Sequence, residues 1–215
     1  MNIRLPWRDR LFAAFIFFTR LPFWRIHQPR KEAYETVVEL WPLTGWLTAG
    51  CMAATLYFGS FIVPTALAAM AAIIVRILIT GALHEDGLAD FIDGFGGGGT
   101  DRRRILDIMK DSHIGTYGVV GLVLYFMLLH QSLTILPPRI TALMILAADP
   151  FFKMMTAQLI QMMPYARTAE TAKGQVVYRK ISIKAGLLLL IQGTLPAIGL
   201  WYFAGLPYLG IAMPA

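Results

Sequence analysis

Five apolar runs, each close to the thickness of a lipid bilayer when helical, constrain this chain more than any other feature. Leu40 to Val63, Thr65 to Leu83, Gly115 to Leu136, Ile140 to Met163 and Ile183 to Phe203 are each near the roughly 20 residues that a helix needs to cross the hydrocarbon core. Inside lipid only helices and closed barrels satisfy their own backbone hydrogen bonds, and none of these runs alternates with a period of two. The sequence therefore predicts an all-α fold: a polytopic transmembrane helical bundle of about five spans, forming a single integral-membrane domain over residues 1–215. Composition points the same way. Only 15% of the residues are charged, against about 25% in a soluble domain.

The N-terminal stretch Leu11 to Trp24 is too short and too interrupted, by Arg20 and Pro22, to cross straight. It predicts an interfacial or re-entrant helix, and it lacks the small-residue cleavage site of a signal peptide. Cys51 is alone, so it forms no internal disulfide and no cysteine metal site.

Of the 19 Lys and Arg, seven precede Leu40, four lie in 85–114 and five in 164–184. Five crossings place these three segments on one side, which the positive-inside rule makes the cytoplasm. The net charge of +6 then reflects topology and anionic lipid headgroups, and membrane lipid is an expected partner. Nucleic acid is not, because no basic run is interleaved with exposed aromatics.

Between the second and third runs stands His84-Glu85-Asp86-Gly87-Leu88-Ala89-Asp90-Phe91-Ile92-Asp93-Gly94. Offsets of four and three place Asp86, Asp90 and Asp93 on one helical face, within an arc of roughly 60°. Like charges stacked this way repel by a few tenths of a kcal/mol per pair in water, and by more where water is scarce. A solvated acidic face accounts for the spacing alone as well as a cation site does. Carboxylates without Cys favour a hard cation, Mg²⁺ or Mn²⁺. The glycines Gly96 to Gly99 allow close backbone approach, while Arg102 to Arg104 and Lys110 offer charge to phosphate oxygens. Asp107 and Asp111 form a second pair, with His113 beside it as a candidate base. These are the parts of a metal–diphosphate site.

The segment predicts a continuation of the second span that carries the ladder, then a flexible Gly94 to Gly99 stretch, then a short helix from Arg102 to Ser112. Thr100 or Asp101 would cap that helix. Segment 25–39 reads as a solvated connection and 164–182 as a basic loop. Mid-span Arg76 costs about 2.5–3.5 kcal/mol on insertion scales, so it should face the bundle interior. It either reaches the Asp cluster or makes a simple interhelical pair. Asp149 and Lys153, four apart, should pair with each other.

The carboxylate run resembles the HxDGLADxxDG pattern of the cobalamin synthase family, the adenosylcobinamide-GDP ribazoletransferases. Arg104-Ile105-Leu106-Asp107-Ile108-Met109-Lys110-Asp111-Ser112-His113-Ile114-Gly115-Thr116-Tyr117-Gly118 is similar to the family's second block, with Asp107 where Glu is common. Phe18-Thr19-Arg20-Leu21-Pro22, Trp41-Pro42-Leu43-Thr44-Gly45 and Pro164-Tyr165-Ala166-Arg167 resemble further family segments. The likeness covers about positions 15 to 180. It implies a multi-pass enzyme of the bacterial inner membrane that needs Mg²⁺. Such an enzyme joins adenosylcobinamide-GDP to alpha-ribazole or its 5'-phosphate and releases GMP. On that reading Asp86, Asp90 and Asp93 are metal ligands. Asp111, Lys110 and His113 are catalytic, and Arg104, Arg103, Gly94, Ser112 and Arg167 contact substrate.

The family's C-terminal Gly-Gly-x-Thr-Gly-Asp block does not occur before Ala215, so weakened transfer is expected. A CDP-alcohol phosphotransferase is the alternative enzyme, but its pattern wants Arg where this chain has Asp90. A non-catalytic scaffold of corrinoid assembly is the alternative outside enzymes. A cation transporter would carry acids at mid-bilayer on several helices, whereas here almost all lie at one surface.

Overall fold

Each of the five apolar runs becomes a helix, and prolines mark where several of them start. In the computed structural model, which describes residues 5–163 and 181–204 (side chains through Tyr202), the helices are α1 Trp7–Phe18, α2 Trp41–Gly59, α3 Thr65–Thr80, α4 Leu83–Gly98, α5 Arg102–Ile108, α6 Thr116–Ile135, α7 Pro138–Met162 and α8 Ile183–Ala204. No strand occurs among the described residues. Pro64 and Pro137 hold extended dihedrals just before α3 and α7, and Pro42 lies in the first turn of α2. At such positions a missing N–H costs nothing and the fixed φ helps the helix start.

The burial pattern is inverted relative to a water-soluble protein. Val120, Val123, Leu124, Met127 and Leu128 on α6 are exposed, as are Leu187, Ile191 and Leu195 on α8. Meanwhile Glu85 and Lys153 are buried. Exposed apolar faces around a buried ionic interior suit a bundle that faces lipid.

Three helices, α6, α7 and α8, are long and apolar enough to cross a membrane, and the bent pair α3–α4 makes a fourth when it is counted as one span. The expected span over Leu40 to Val63 is not among them. Its helix, α2, carries Trp41, Thr44, Trp46 and Thr48 and is enclosed by neighbours, with Thr44, Thr48, Ala49 and Leu56 nearly inaccessible. A helix wrapped by protein has less need of a lipid-compatible surface. Gly45 lets α7 approach closely, because a Cβ there would press on Pro150.

The N-terminal α1 has 12 residues, about 18 Å of helix, too short to span and in keeping with an interfacial or re-entrant element. Segment 25–39 is not the solvated connection expected. Lys31–Leu40 forms a 3₁₀ helix whose Ala33, Val37, Val38 and Leu40 pack with Ala13, Ala14 and Phe18 of α1, Ala157 of α7 and Leu189 of α8. The mixed charges lie on its other faces, and Glu39 pairs with Arg10. Asp9, buried in α1, receives His27 Nε2 at 2.7 Å and lies 3.4 Å from Arg30 Nε. The His27 hydrogen bond holds its carboxyl below the usual range.

Arg76 takes the interhelical route. Its Nη1 donates to Glu85 Oε1 at 3.0 Å and to Tyr125 Oη at 3.3 Å, and its Nη2 lies 3.7 Å from Asp149 Oδ1. Asp149 Oδ2 pairs with Lys153, as the spacing predicted, and accepts from Thr48, which also receives Lys153 Nζ at 3.1 Å. One network of two cations and two carboxylates thus ties α2, α3, α4 and α7 together. Lys153→Met should cost about 3–5 kcal/mol, because Asp149 keeps its burial and loses its nearest cation. In detergent its thermal midpoint should fall well below that of an Asp149→Leu/Lys153→Met double variant. Equal midpoints would remove the pair from the stability of the bundle.

Candidate active site

The site is built on a break. Gly81 and Ala82 both take left-handed conformations, φ 65° and 58°, and turn α4 by 90° from α3. A Cβ on Gly81 would run into the Arg20 side chain, whose backbone N–H donates to Ile79 O at 2.7 Å. The Thr-Arg-Leu-Pro segment therefore lies over the hinge and fixes where the chain leaves its span.

The stretch expected to be flexible after the ladder is helical through Gly98, and Gly99 at φ 61° ends it. The glycines are used for packing. A Cβ on Gly94 would meet Met109 Cγ and Ile105 O, one on Gly98 would meet Ile105, and one on Gly96 would meet the Tyr117 ring. Gly94 and Gly98, one turn apart, thus form the shallow seat on which α5 lies. Asp101 caps α5, its Oδ1 accepting from Arg103 N at 2.8 Å and Arg104 N at 3.4 Å. The helix ends at Ile108, not Ser112. Lys110 to His113 instead form an irregular rim that faces α4.

Between them is a cavity of about 680 Å³. Glu85, Asp86 and Asp90 line it from α4, and Lys110, Asp111, Ser112 and His113 from the rim. Ile77, Leu122 and Phe126 add apolar wall from α3 and α6. Asp111 Oδ1 accepts from the His113 backbone N–H at 3.1 Å and lies 2.6 Å from His113 Nδ1. That hydrogen bond pulls the Asp111 carboxyl below its ordinary range and raises the His113 imidazole above its own. With Nδ1 engaged, Nε2 is the nitrogen left to exchange a proton with a ligand.

Asp93 points elsewhere. It is 7% exposed, and its Oδ2 accepts from Gly115 N at 2.7 Å and its Oδ1 from Gly118 N at 2.8 Å. These are the free N–H groups at the start of α6, where a carboxylate is favoured by geometry and by the helix dipole. A Cβ on Gly115 or Gly118 would overlap the Asp93 carboxylate, so both glycines are needed for the latch. Of the residues expected to contact substrate, Ser112 lines the cavity. Gly94 is buried beneath α5, and Arg103 and Arg104 are exposed on α5 and do not line it. Arg167 lies outside the described residues.

The sequence offered no sign of Glu85. It stands one residue before Asp86, about 100° round the helix, and its partner Arg76 faces it only because of the hinge. Among the described residues no three His, Cys, Asp or Glu side chains converge closely enough to hold a metal ion unaided. Asp86 and Asp90, one turn apart on the cavity wall, suit the mode in which one or two carboxylates share Mg²⁺ with substrate phosphates.

The sequence profile of the Cobalamin-5-phosphate synthase family matches residues 10–215. The chain belongs to this family. An adenosylcobinamide-GDP ribazoletransferase of Leptospira interrogans serogroup Icterohaemorrhagiae serovar copenhageni is 34% identical over 200 residues, covering 90% of this chain and 74% of the relative. One from Shewanella baltica (strain OS155) is 31% identical over 215 residues, covering 97% and 82%. No solved structure matches. Membership accounts for the pairing of the two polar blocks, since the family match runs through both and the fold closes them around one cavity.

Proposed function

We propose that the chain is a membrane transferase that joins adenosylcobinamide-GDP to alpha-ribazole, or to its 5'-phosphate, with release of GMP. The observation that carries this reading is the cavity of about 680 Å³ in which Asp86, Asp90, Lys110, Asp111, Ser112 and His113 meet. Its run from the polar rim to Ile77 of α3 and to Leu122 and Phe126 of α6 suits an amphipathic substrate. We place this end of the bundle in the cytoplasm from the uneven distribution of Lys and Arg along the sequence.

Phosphoryl transfer of this kind is mostly positioning and charge stabilisation. An acceptor hydroxyl oxygen attacks the corrinoid-side phosphorus. The new P–O bond forms as the bond from that phosphorus to the bridging oxygen breaks, and GMP leaves with the bridging oxygen. His113, oriented by Asp111, takes the proton of the attacking hydroxyl at Nε2. Lys110 faces the negative charge that collects on the phosphoryl oxygens. Asp86 and Asp90 would hold Mg²⁺, which when bound neutralises diphosphate charge. The ladder at one face of the chain favours this reading over transport, and Asp90 disfavours a CDP-alcohol phosphotransferase.

The test is GMP release by membranes carrying the chain, supplied with adenosylcobinamide-GDP and alpha-ribazole. GMP should form only with both substrates and Mg²⁺ present. Release without the acceptor, or undiminished after chelation, would overturn the assignment.

A further inference from the structure

We infer that Glu85 is a substrate-binding residue of the cavity, its Oε2 accepting a hydrogen bond from a neutral O–H or N–H donor of the bound substrate. The inference deepens the transferase reading above and rests on it. Glu85 lines the same cavity as Asp86 and Asp90. Its side chain is only 4% exposed, and Arg76 Nη1 holds its Oε1 at 3.0 Å. Its Oε2 is buried with no hydrogen-bond partner. A buried carboxylate oxygen left unsatisfied is costly, and more so for a charged group than for a neutral one. A ligand that supplies the missing donor recovers that cost on binding.

The charge around Glu85 indicates what kind of donor it takes. Arg76 and Lys153 balance Glu85 and Asp149 within one connected network. A carboxylate already matched by a buried guanidinium has little excess charge to offer a divalent cation. It remains a good acceptor for a hydroxyl or amide hydrogen. The donor belongs either to the acceptor nucleoside, through a ribose hydroxyl, or to the nucleotide-activated corrinoid, through an amide or base N–H.

Glu85→Gln tests this directly. Arg76 will claim the Gln carbonyl oxygen, so the amide NH₂ is left where Oε2 stood, and an acceptor becomes a donor. Loss of a hydrogen bond to a charged group corresponds to about 10- to 100-fold in affinity. KM for one of the two substrates should rise by about that factor, with kcat within a few-fold and the Mn²⁺ half-saturation unchanged. The substrate whose KM moves identifies the donor. Glu85→Asp, which keeps the charge and withdraws the carboxylate by one methylene, should raise the same KM less. It serves in place of the Gln variant if that one fails to fold.

A folded Glu85→Gln with both KM values unmoved would overturn the inference. So would a shift in metal dependence with KM unmoved, which would make Glu85 a metal ligand. Turnover of the parent chain reports separately on the transferase reading. If the parent binds a substrate without turnover, that reading fails, and equilibrium binding of each substrate to parent and variant still decides for or against Glu85. If the parent binds neither substrate, both fall.

Discussion

Asp93→Ala should loosen the junction of α4 and α6 and lower stability by about 3–6 kcal/mol, from two charge-assisted hydrogen bonds at about 1.5–3 kcal/mol each. Both carboxylate oxygens serve backbone N–H groups, of Gly115 at 2.7 Å and Gly118 at 2.8 Å. Gly118 is buried, so its N–H has no water to turn to once the acceptor is gone. Asp93→Asn should be milder, because one acceptor oxygen remains while the NH₂ confronts the second N–H. The measurement is the thermal midpoint in detergent, together with hydrogen-exchange protection of the Gly118 amide. A variant with parental midpoint and protection but lost divalent-cation binding would return Asp93 to the metal-ligand role that the family resemblance implies.

Asp90→Asn should do the opposite. We expect its Mg²⁺-dependent GMP release to drop on the order of 100-fold or more, since Lewis-acid stabilisation of a phosphoryl transition state contributes several kcal/mol. Its midpoint should stay near the parent's, because Asp90 is a half-exposed residue on the cavity wall and not part of the α4–α6 latch. Set beside Asp93→Ala, it separates two aspartates three residues apart on one helical face: one loses turnover with the fold intact, the other loses turnover because the fold gives way. Near-parental GMP release from Asp90→Asn would count decisively against a metal role for the ladder.

The contrast also explains where reading the chain succeeded. Hydrophobic length placed five helices within a few residues of their true ends, because a bilayer-sized apolar run has few ways to satisfy its backbone. Side-chain spacing of four correctly paired Asp149 with Lys153 and placed Asp86 and Asp90 on one wall. Of the two cap candidates, Thr100 and Asp101, it is Asp101 that caps α5. The same spacing argument grouped Asp93 with its neighbours, and here it reached its limit. Spacing fixes the face of a helix, not what comes to lie against that face. Likewise Gly94 to Gly99 suggested freedom of the backbone, whereas the absence of Cβ atoms is spent on the close seat for α5 and Tyr117. The 3₁₀ helix Lys31–Leu40 was hidden because its buried face is narrow and its mean character polar.

Local chemistry, then, was enough to specify a helical membrane protein with an acidic edge, since helix length, capping and one-turn neighbours depend on residues close in sequence. The partners of Glu85, Arg76 and Asp93 depend on the 90° turn at Gly81 and Ala82 and on which helices then meet. Those contacts join residues from 9 to 73 positions apart, and only the packed bundle brings them within hydrogen-bonding or ion-pair reach.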